Sequence, residues 1–325
     1  MGAVQAQDYL GSLWAVGLRV AGALESDVED AIAARSIVRT WPMRGTLHFV
    51  AAQDVRWMIS LLTPRVIARS AGRYRELGLG EPDFRRARRV LTRALRGGRQ
   101  LTRREAYDAL EREGIPAAGQ RGIHVLAHLA QQGLLCFGPR RGRQPTFVLL
   151  DEWVPPTRVP AREDALAALA TRYFTSHGPA TLHDFSWWSG LRVADAAAAL
   201  DAAGPALVHE VRGGRRWWSA PGSLAARWRP PVAALLPPWD DYVVAYRDRA
   251  GALDPLARGG GVPAPLGRSL IVIDGRVRGS WRRTLGAARV RVDLEPWDRL
   301  GAGERRAVEA GAARYARFLG KELLR

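Results

Sequence analysis

The sequence predicts an α+β protein in which a helix–helix–hairpin unit recurs along the chain before a small α+β domain closes it. Three observations carry this expectation. Residues 101–153 and 161–222 repeat one order of elements, a shorter version opens the chain, and the texture changes from about Arg227 onward.

The second unit reads most clearly. In LTRREAYDALEREG a helix starts at Thr102, with Glu105 three residues on as its capping-box partner and apolar residues at helical spacing up to a glycine stop. RGIHVLAHLAQQGLL is a second amphipathic helix, closed at Gly133. LLCFGPRRGRQPTFVLL then sets two short apolar strands around a turn rich in Gly, Pro and Arg, which is a hairpin signal. Helix, helix and basic hairpin in that order make a winged helix, a variant of the helix-turn-helix.

The third unit follows the same plan. AREDALAALATRYFTSHG, ATLHDFSWWSGL and VADAAAALDAAG read as helices, the middle one capped by Thr181 with Asp184 three residues later. ALVHEVRGGRRWWSAPG supplies the hairpin. At the start, DYLGSLWAVGLRV and ESDVEDAIAARSIV are helices and VRTWPMRGTLHFV a hairpin. A winged helix normally has one more helix before these, so either the sequence begins downstream of it or the module is shortened. The last region holds LLPPWDDYVVAYRDR, a connection at RGGGVPAPLGRS, a hairpin turning at Asp274 and Gly275, the strand RVRVDLEP and the helix GERRAVEAGAARYARFLG. The expected division is 1–64, 65–157 and 158–224 as winged-helix modules forming a concave surface, and 225–325 as the α+β domain.

Composition narrows the partner. The chain of 325 residues carries a formal charge of +17, with Lys321 its single lysine. A net charge this large favours a polyanion, and double-stranded DNA leads. The charge is uneven: residues 1–60 hold five arginines against six acids, residues 65–104 thirteen against three. Arg85, Arg86, Arg88 and Arg89 lie at helical spacing in the second stretch, as a solvated face or as phosphate contacts that position a duplex without reading it. Arg140, Arg141 and Arg143 in the second wing, Arg212, Arg215 and Arg216 in the third, and Arg276, Arg278 and Arg282 with Arg283 in the last hairpin present the same choice. Trp217 and Trp218 follow the third turn, and at least one belongs to the core.

Other classes are disfavoured. Cys136 is alone, no signal peptide opens the chain, and no apolar run approaches the roughly 20 residues that span a bilayer. A soluble, cytoplasmic, nucleoid-associated monomer is expected. No metal and no cofactor are expected either, since no Cys-x-x-Cys or His-Glu-x-x-His occurs and His124 and His128 lack a third ligand.

The opening GAVQAQDYLG sets Gln5 and Gln7 around one apolar residue. If extended, the stretch projects both amides from one face, as a neutral reaction centre or as a polar edge. Asp8 is a cap for the helix beginning near Tyr9, or a water-orienting group. Arg44 and His48 lie four apart and would share a face of one regular strand; His48 is then a core histidine or lines a groove beside the glutamines. Asp240, Asp241, Arg247, Asp248 and Arg249 read as ion-paired structure, because adjacent aspartates on a strand point to opposite faces and cannot share a site.

Taken in order, VQAQDYLGSLWAVGLR, TWPMRGTLHFV, TRYFTSHGPATLHDFSWWSGL, LLPPWDDYVVAYRDR and VIDGRVRGSWRR resemble the AlkZ/YcaQ family of bacterial DNA glycosylases over essentially the whole chain. The resemblance implies tandem winged helices and hydrolysis of the N-glycosidic bond of alkylated purines, including unhooking of interstrand crosslinks. The family's catalytic motif falls on Gln5-Ala6-Gln7, in the Gln-x-Gln form of the branch associated with self-resistance to crosslinking natural products. Neutral amides suit that chemistry. Alkylation at N7 or N3 makes the base cationic, so it leaves without a general acid, and an amide oxygen can still hold water. No lysine lies near the motif, which disfavours Schiff-base lyase chemistry. The competing reading is a non-enzymatic winged-helix DNA-binding protein or transcription regulator.

Overall fold

The structure, a computed structural model, describes residues 1–223, 229–252 and 267–324. A short strand β1 (Val4–Gln5) leads into helices α1 (Tyr9–Gly17) and α2 (Glu25–Ala33) and the hairpin β2 (Ile37–Met43) and β3 (Thr46–Ala51). Asp8 starts α1 as expected, its carboxylate accepting from Gly11 N at 2.7 Å. The β2–β3 turn runs through Arg44 and Gly45 at φ 55° and 77°. Two left-handed residues in succession match the twist of a two-residue hairpin, an ordinary demand on Gly45 and a strained one on Arg44.

The next segment holds α3 (Ala52–Arg69), α4 (Ala71–Glu76), α5 (Glu81–Leu95), β4 (Leu101–Thr102), α6 (Arg103–Arg112), α7 (Arg121–Gln131), the hairpin β5 (Leu135–Arg141) and β6 (Gln144–Leu149), and α8 (Leu150–Trp153). The boundary expected at 64/65 falls inside α3, which carries Pro64 within it. Both predicted capping boxes form: Thr102 with Glu105, and Thr181 with Asp184. The first two hairpins do not stand apart. Arg39 of β2 pairs with Phe137 of β5, giving one six-stranded sheet in the order β1-β3-β2-β5-β6-β4.

Helices α9 (Arg162–His177), α10 (Leu182–Ser189) and α11 (Val193–Ala203) then precede the hairpin β7 (Val208–Arg212) and β8 (Arg215–Ser219). Tyr173, Phe174, Phe185 and Trp188 are fully buried between these helices. Trp218 packs against that core and bridges to Ala180, while Trp217 is half-buried. An ion pair from Arg172 to the buried Asp54 ties α9 to α3.

The remaining elements are β9 (Ala233–Leu236), α12 (Asp241–Val244), β10 (Leu270–Ile273), β11 (Arg276–Leu285), β12 (Arg289–Pro296), α13 (Ala302–Phe318) and β13 (Glu322–Leu324). Their sheet runs β13-β12-β11-β10-β9. The Asp274-Gly275 turn is present, at φ 47° and 81°. Arg227 and most of the expected connection, residues 258–266, lie outside the described residues. The N-terminal helix docks on this region: Trp14 is 1% exposed, stacks edge-on against Tyr315 at 5.1 Å, and donates to Leu235 O at 2.7 Å. The architecture is mixed α/β, and its two ends are packed on each other.

Candidate functional site

Gln5 ends β1 and pairs with His48 of β3, which in turn pairs with Thr40 of β2. Residues directly opposed across antiparallel strands put their side chains on one face. Gln5, at 8% exposure, therefore lies beside the fully buried His48 and Thr40. Arg44 reaches this face from its turn, with Nη2 3.1 Å from Gln5 Oε1 and 3.3 Å from His48 Nε2. Arg44 and His48 thus meet, although through a hairpin turn and not along one strand.

His48 Nδ1 is 3.0 Å from the Thr46 carbonyl oxygen. A carbonyl only accepts, so Nδ1 carries the proton and Nε2 accepts from the guanidinium. Burial first, and the Arg44 charge second, push the His48 pKa down to about 3. The ring is neutral at ordinary pH, and burial lowers Arg44 as well. His48 is buried in the way of a core histidine, yet its ring orients the arginine that holds Gln5.

The main chain of Gln5 is tied to the far end of the sequence. Gln5 N–H donates to Asp241 Oδ2 at 3.0 Å. Asp241 is fully buried, and its other oxygen, Oδ1, has no hydrogen-bond partner among the described residues. Burial, and then the neighbouring Asp240, raise its pKa to about 6. Asp240 differs in kind. It forms a two-bond ion pair with Arg19 at 2.7 and 2.9 Å and caps α12 through Tyr242 N. The reading of both aspartates as ion-paired structure is correct for Asp240 and needs correction for Asp241, which makes no ion pair among the described residues. The two stand at the start of a helix, not on a strand. Asp248 does pair with Arg215 at 3.2 Å, and Arg249 lies over the Trp187 ring at 5.3 Å.

Gln7 behaves differently from Gln5. Ala6 N–H keeps the ladder bond to Leu47 O at 2.7 Å, but Ala6 O is taken by Arg39 Nε and Nη2 at 3.1 and 2.7 Å. Gln7 Oε1 substitutes as the acceptor for Leu47 N–H at 2.8 Å. The strand ends there, and its two-residue period ends with it. Gln7 is exposed and lines a cleft of about 420 Å³ with Tyr9, Arg39, Trp41, Arg103, Arg140 and Arg143. Arg39 stands opposite Phe49, on the face away from His48. The expectation that both glutamine side chains share one face is therefore corrected.

Arg39 is a residue the sequence reading missed. It is 7% exposed, lies 5.2 Å over Tyr9 and 4.8 Å over Phe137, and has no carboxylate partner among the described residues; burial lowers its pKa to about 10. A lone arginine inside the apolar run IVRTW was its one signal.

The remaining arginines divide by partner. Arg140 is not at a hairpin tip: it lies within β5, pairs with Glu29 at 2.6 Å and covers the Tyr9 ring. Arg278 is likewise structural, paired with Asp298 and Glu304 at 2.6 and 3.2 Å. Arg141, Arg212 and Arg282 have exposed carboxylate partners in Glu105, Glu210 and Glu295. Arg86 and Arg88 donate to Glu113 O and Gln132 Oε1. Arg85, Arg89, Arg143, Arg216 and Arg276 are exposed without an ion pair among the described residues. Arg215 and Arg216 line a larger cleft, of about 830 Å³, between α10, α11 and the β7–β8 turn. Asp8, the alternative water-orienting residue, is occupied as a cap and lies 3.5 Å from Arg283. His128 stacks on Phe84 at 3.7 Å. No helix among the described residues is long and apolar enough to cross a membrane.

The chain is 29% identical over 208 residues to the interstrand DNA cross-link repair glycosylase of Streptomyces sahachiroi, an alignment covering 58% of this chain and 52% of that protein. It thus spans about half the length of the curated relative it matches. The solved structure of Streptomyces sahachiroi DNA glycosylase AlkZ superposes with a TM-score of 0.76 at 26% identity, over 99% of this chain and 90% of that one. The model of the DNA glycosylase AlkZ-like family matches residues 1–318, and the chain belongs to that family.

Proposed function

We propose that the protein is a monofunctional DNA glycosylase that hydrolyses the N-glycosidic bond of alkylated purines, N7 and N3 adducts, and unhooks interstrand crosslinks. The observation that carries this reading is Gln5: a buried neutral amide, oriented by Arg44 at the edge of a sheet whose neighbouring cleft holds Gln7 among arginines. A cationic base leaves unaided, so the protein has to place a water and tolerate positive charge on the sugar. Arg44 takes one lone pair of Gln5 Oε1 and leaves the other for that water. Gln7, in the cleft on the other face, is assigned to facing the sugar and not to holding the same water.

Helices α9, α10 and α11 with the β7–β8 hairpin support a winged helix, and the two earlier segments support two more that share a sheet. Within the proposed concave surface, Arg85, Arg89, Arg143, Arg216 and Arg276 contact DNA phosphates, with exposed Arg86, Arg141, Arg212, Arg215 and Arg282 and half-buried Arg88 as supports. The protein acts as a monomer on chromosomal duplex DNA.

The test is release of free base from a duplex carrying one N7-alkylguanine, comparing wild type with Gln5→Ala/Gln7→Ala at matched salt. Release by wild type alone, with equal duplex affinity, is the expected result. Tight binding without release by either protein would favour a non-enzymatic DNA-binding protein.

A further inference from the structure

Oxocarbenium chemistry needs negative charge nearby, and the Gln5 cluster looks poorly supplied with it. The amide is neutral, His48 is neutral, and Arg44 brings a positive charge within hydrogen-bond distance of the Gln5 oxygen. The group that reverses this balance is in the C-terminal region. We propose that Asp241 is a positioning residue of the site: its carboxylate fixes the main chain of Gln5 and supplies the negative charge that the amide pair lacks. This rests on the glycosylase reading above.

Three features support it. Asp241 reaches Gln5 across 236 positions of sequence, through a charge-assisted bond to the N–H of the residue that carries the amide. Its second oxygen is buried without a partner among the described residues, whereas a carboxyl that only holds structure together normally has both oxygens satisfied. Its charge is also left available: the Tyr173 and Tyr246 hydroxyls donate to the Ala245 and His177 carbonyls, and of the two arginines that act on it, Arg19 and Arg44, Arg19 is already paired with Asp240. Ionised, Asp241 cancels Arg44; protonated, it leaves the cluster with net positive charge.

Burial places the changeover at about pH 6. Above that pH the carboxylate is present and Gln5 is held by a charged acceptor; below it the bond is neutral and weaker. Asp241→Asn separates the two contributions, since it keeps an oxygen for Gln5 N–H and removes the charge.

The experiment compares wild type and Asp241→Asn by three readouts. Base release from an N7-methylguanine duplex should rise in wild type as pH passes about 6, and in the variant should be at least about tenfold slower at neutral pH with that rise abolished. The Gln5 amide resonance should titrate near the same pH in wild type and stay flat in the variant. The variant should melt no lower than wild type at neutral pH, because it removes a buried charge. Identical rate profiles, an amide that ignores pH, or a variant that melts lower would each overturn the proposal. A wild type that releases no base would instead sink the glycosylase reading, and the amide titration would still decide whether Asp241 controls Gln5.

Discussion

One nitrogen of Arg44, Nη2, lies 3.1 Å from Gln5 Oε1 and also 3.3 Å from His48 Nε2, so a single guanidinium orients the amide and is itself oriented by a neutral ring. The arrangement depends on Arg44 occupying a left-handed turn position at φ 55°, from which its side chain folds back over β1. Strain of this kind is held where the surroundings over-determine it.

Arg44→Ala should free the Gln5 amide and leave His48 Nε2 without its donor. The expected outcome is a fall in base release of about tenfold to a hundredfold, with duplex affinity nearly unchanged. Arg44→Lys should not restore it, because an ammonium group lacks the planar fork. Single-turnover rates at saturating enzyme check both variants, and a lysine variant of full activity would show that charge alone suffices.

Gln7 has two duties, and its substitution should reveal both. Gln7→Ala removes the acceptor for Leu47 N–H and should destabilise the fold by about 1 kcal/mol, since water can reach that exposed edge. The Gln5 side-chain oxygen meets Arg44 alone among the described residues, so Gln5→Ala should cost activity at little cost to melting temperature. Parallel melting curves and base-release rates separate the two; equal destabilisation would mean that the ladder substitution by Gln7 is unimportant.

The arginines should sort by partner. Arg85→Ala, Arg89→Ala and Arg143→Ala should each lower the slope of log affinity against log salt by about one, leaving melting unchanged. Arg140→Ala and Arg278→Ala break part-buried ion pairs and should destabilise the protein. Salt-dependent binding to an undamaged duplex makes the measurement. A full loss of slope with Arg278→Ala would return that residue to the DNA interface.

Acid should destabilise the protein, and the sign follows from the histidines. Burial depresses His48 to about 3 and His128 and His177 to about 4, so between those values and their ordinary 6.5 the unfolded chain binds more protons than the native one. Stability is therefore complete above about 6.5 and declines as pH falls. Asp241 acts the other way. Its raised pKa makes stability fall as pH rises from 3.8 toward 6. Burial lowers His124 as well and raises Glu25, so four histidines stand against two carboxyls and the net expectation is a lower denaturant midpoint at about pH 5 than at about pH 7.5. His48→Gln should flatten part of that slope; an unchanged slope would place its titration elsewhere.

Local chemistry decided what the sequence could show by itself. Caps at Asp8, Thr102 and Thr181, the Asp274-Gly275 turn and the recurring helix–helix–hairpin order depend on neighbours in the chain, so they were legible. The Gln-x-Gln stretch was legible too, as a pattern of types. What only the tertiary structure decided is where those groups are aimed. The two glutamines part company because Arg39, 33 positions away, takes the Ala6 carbonyl and ends the strand's period. Asp241, read from its neighbours as half of an ion-paired couple, is joined to Gln5 from the other end of the chain. Pairings at such separations are set by how whole elements pack, and no spacing within a motif encodes them. The residue types of the site belong to the sequence; its charge balance belongs to the fold.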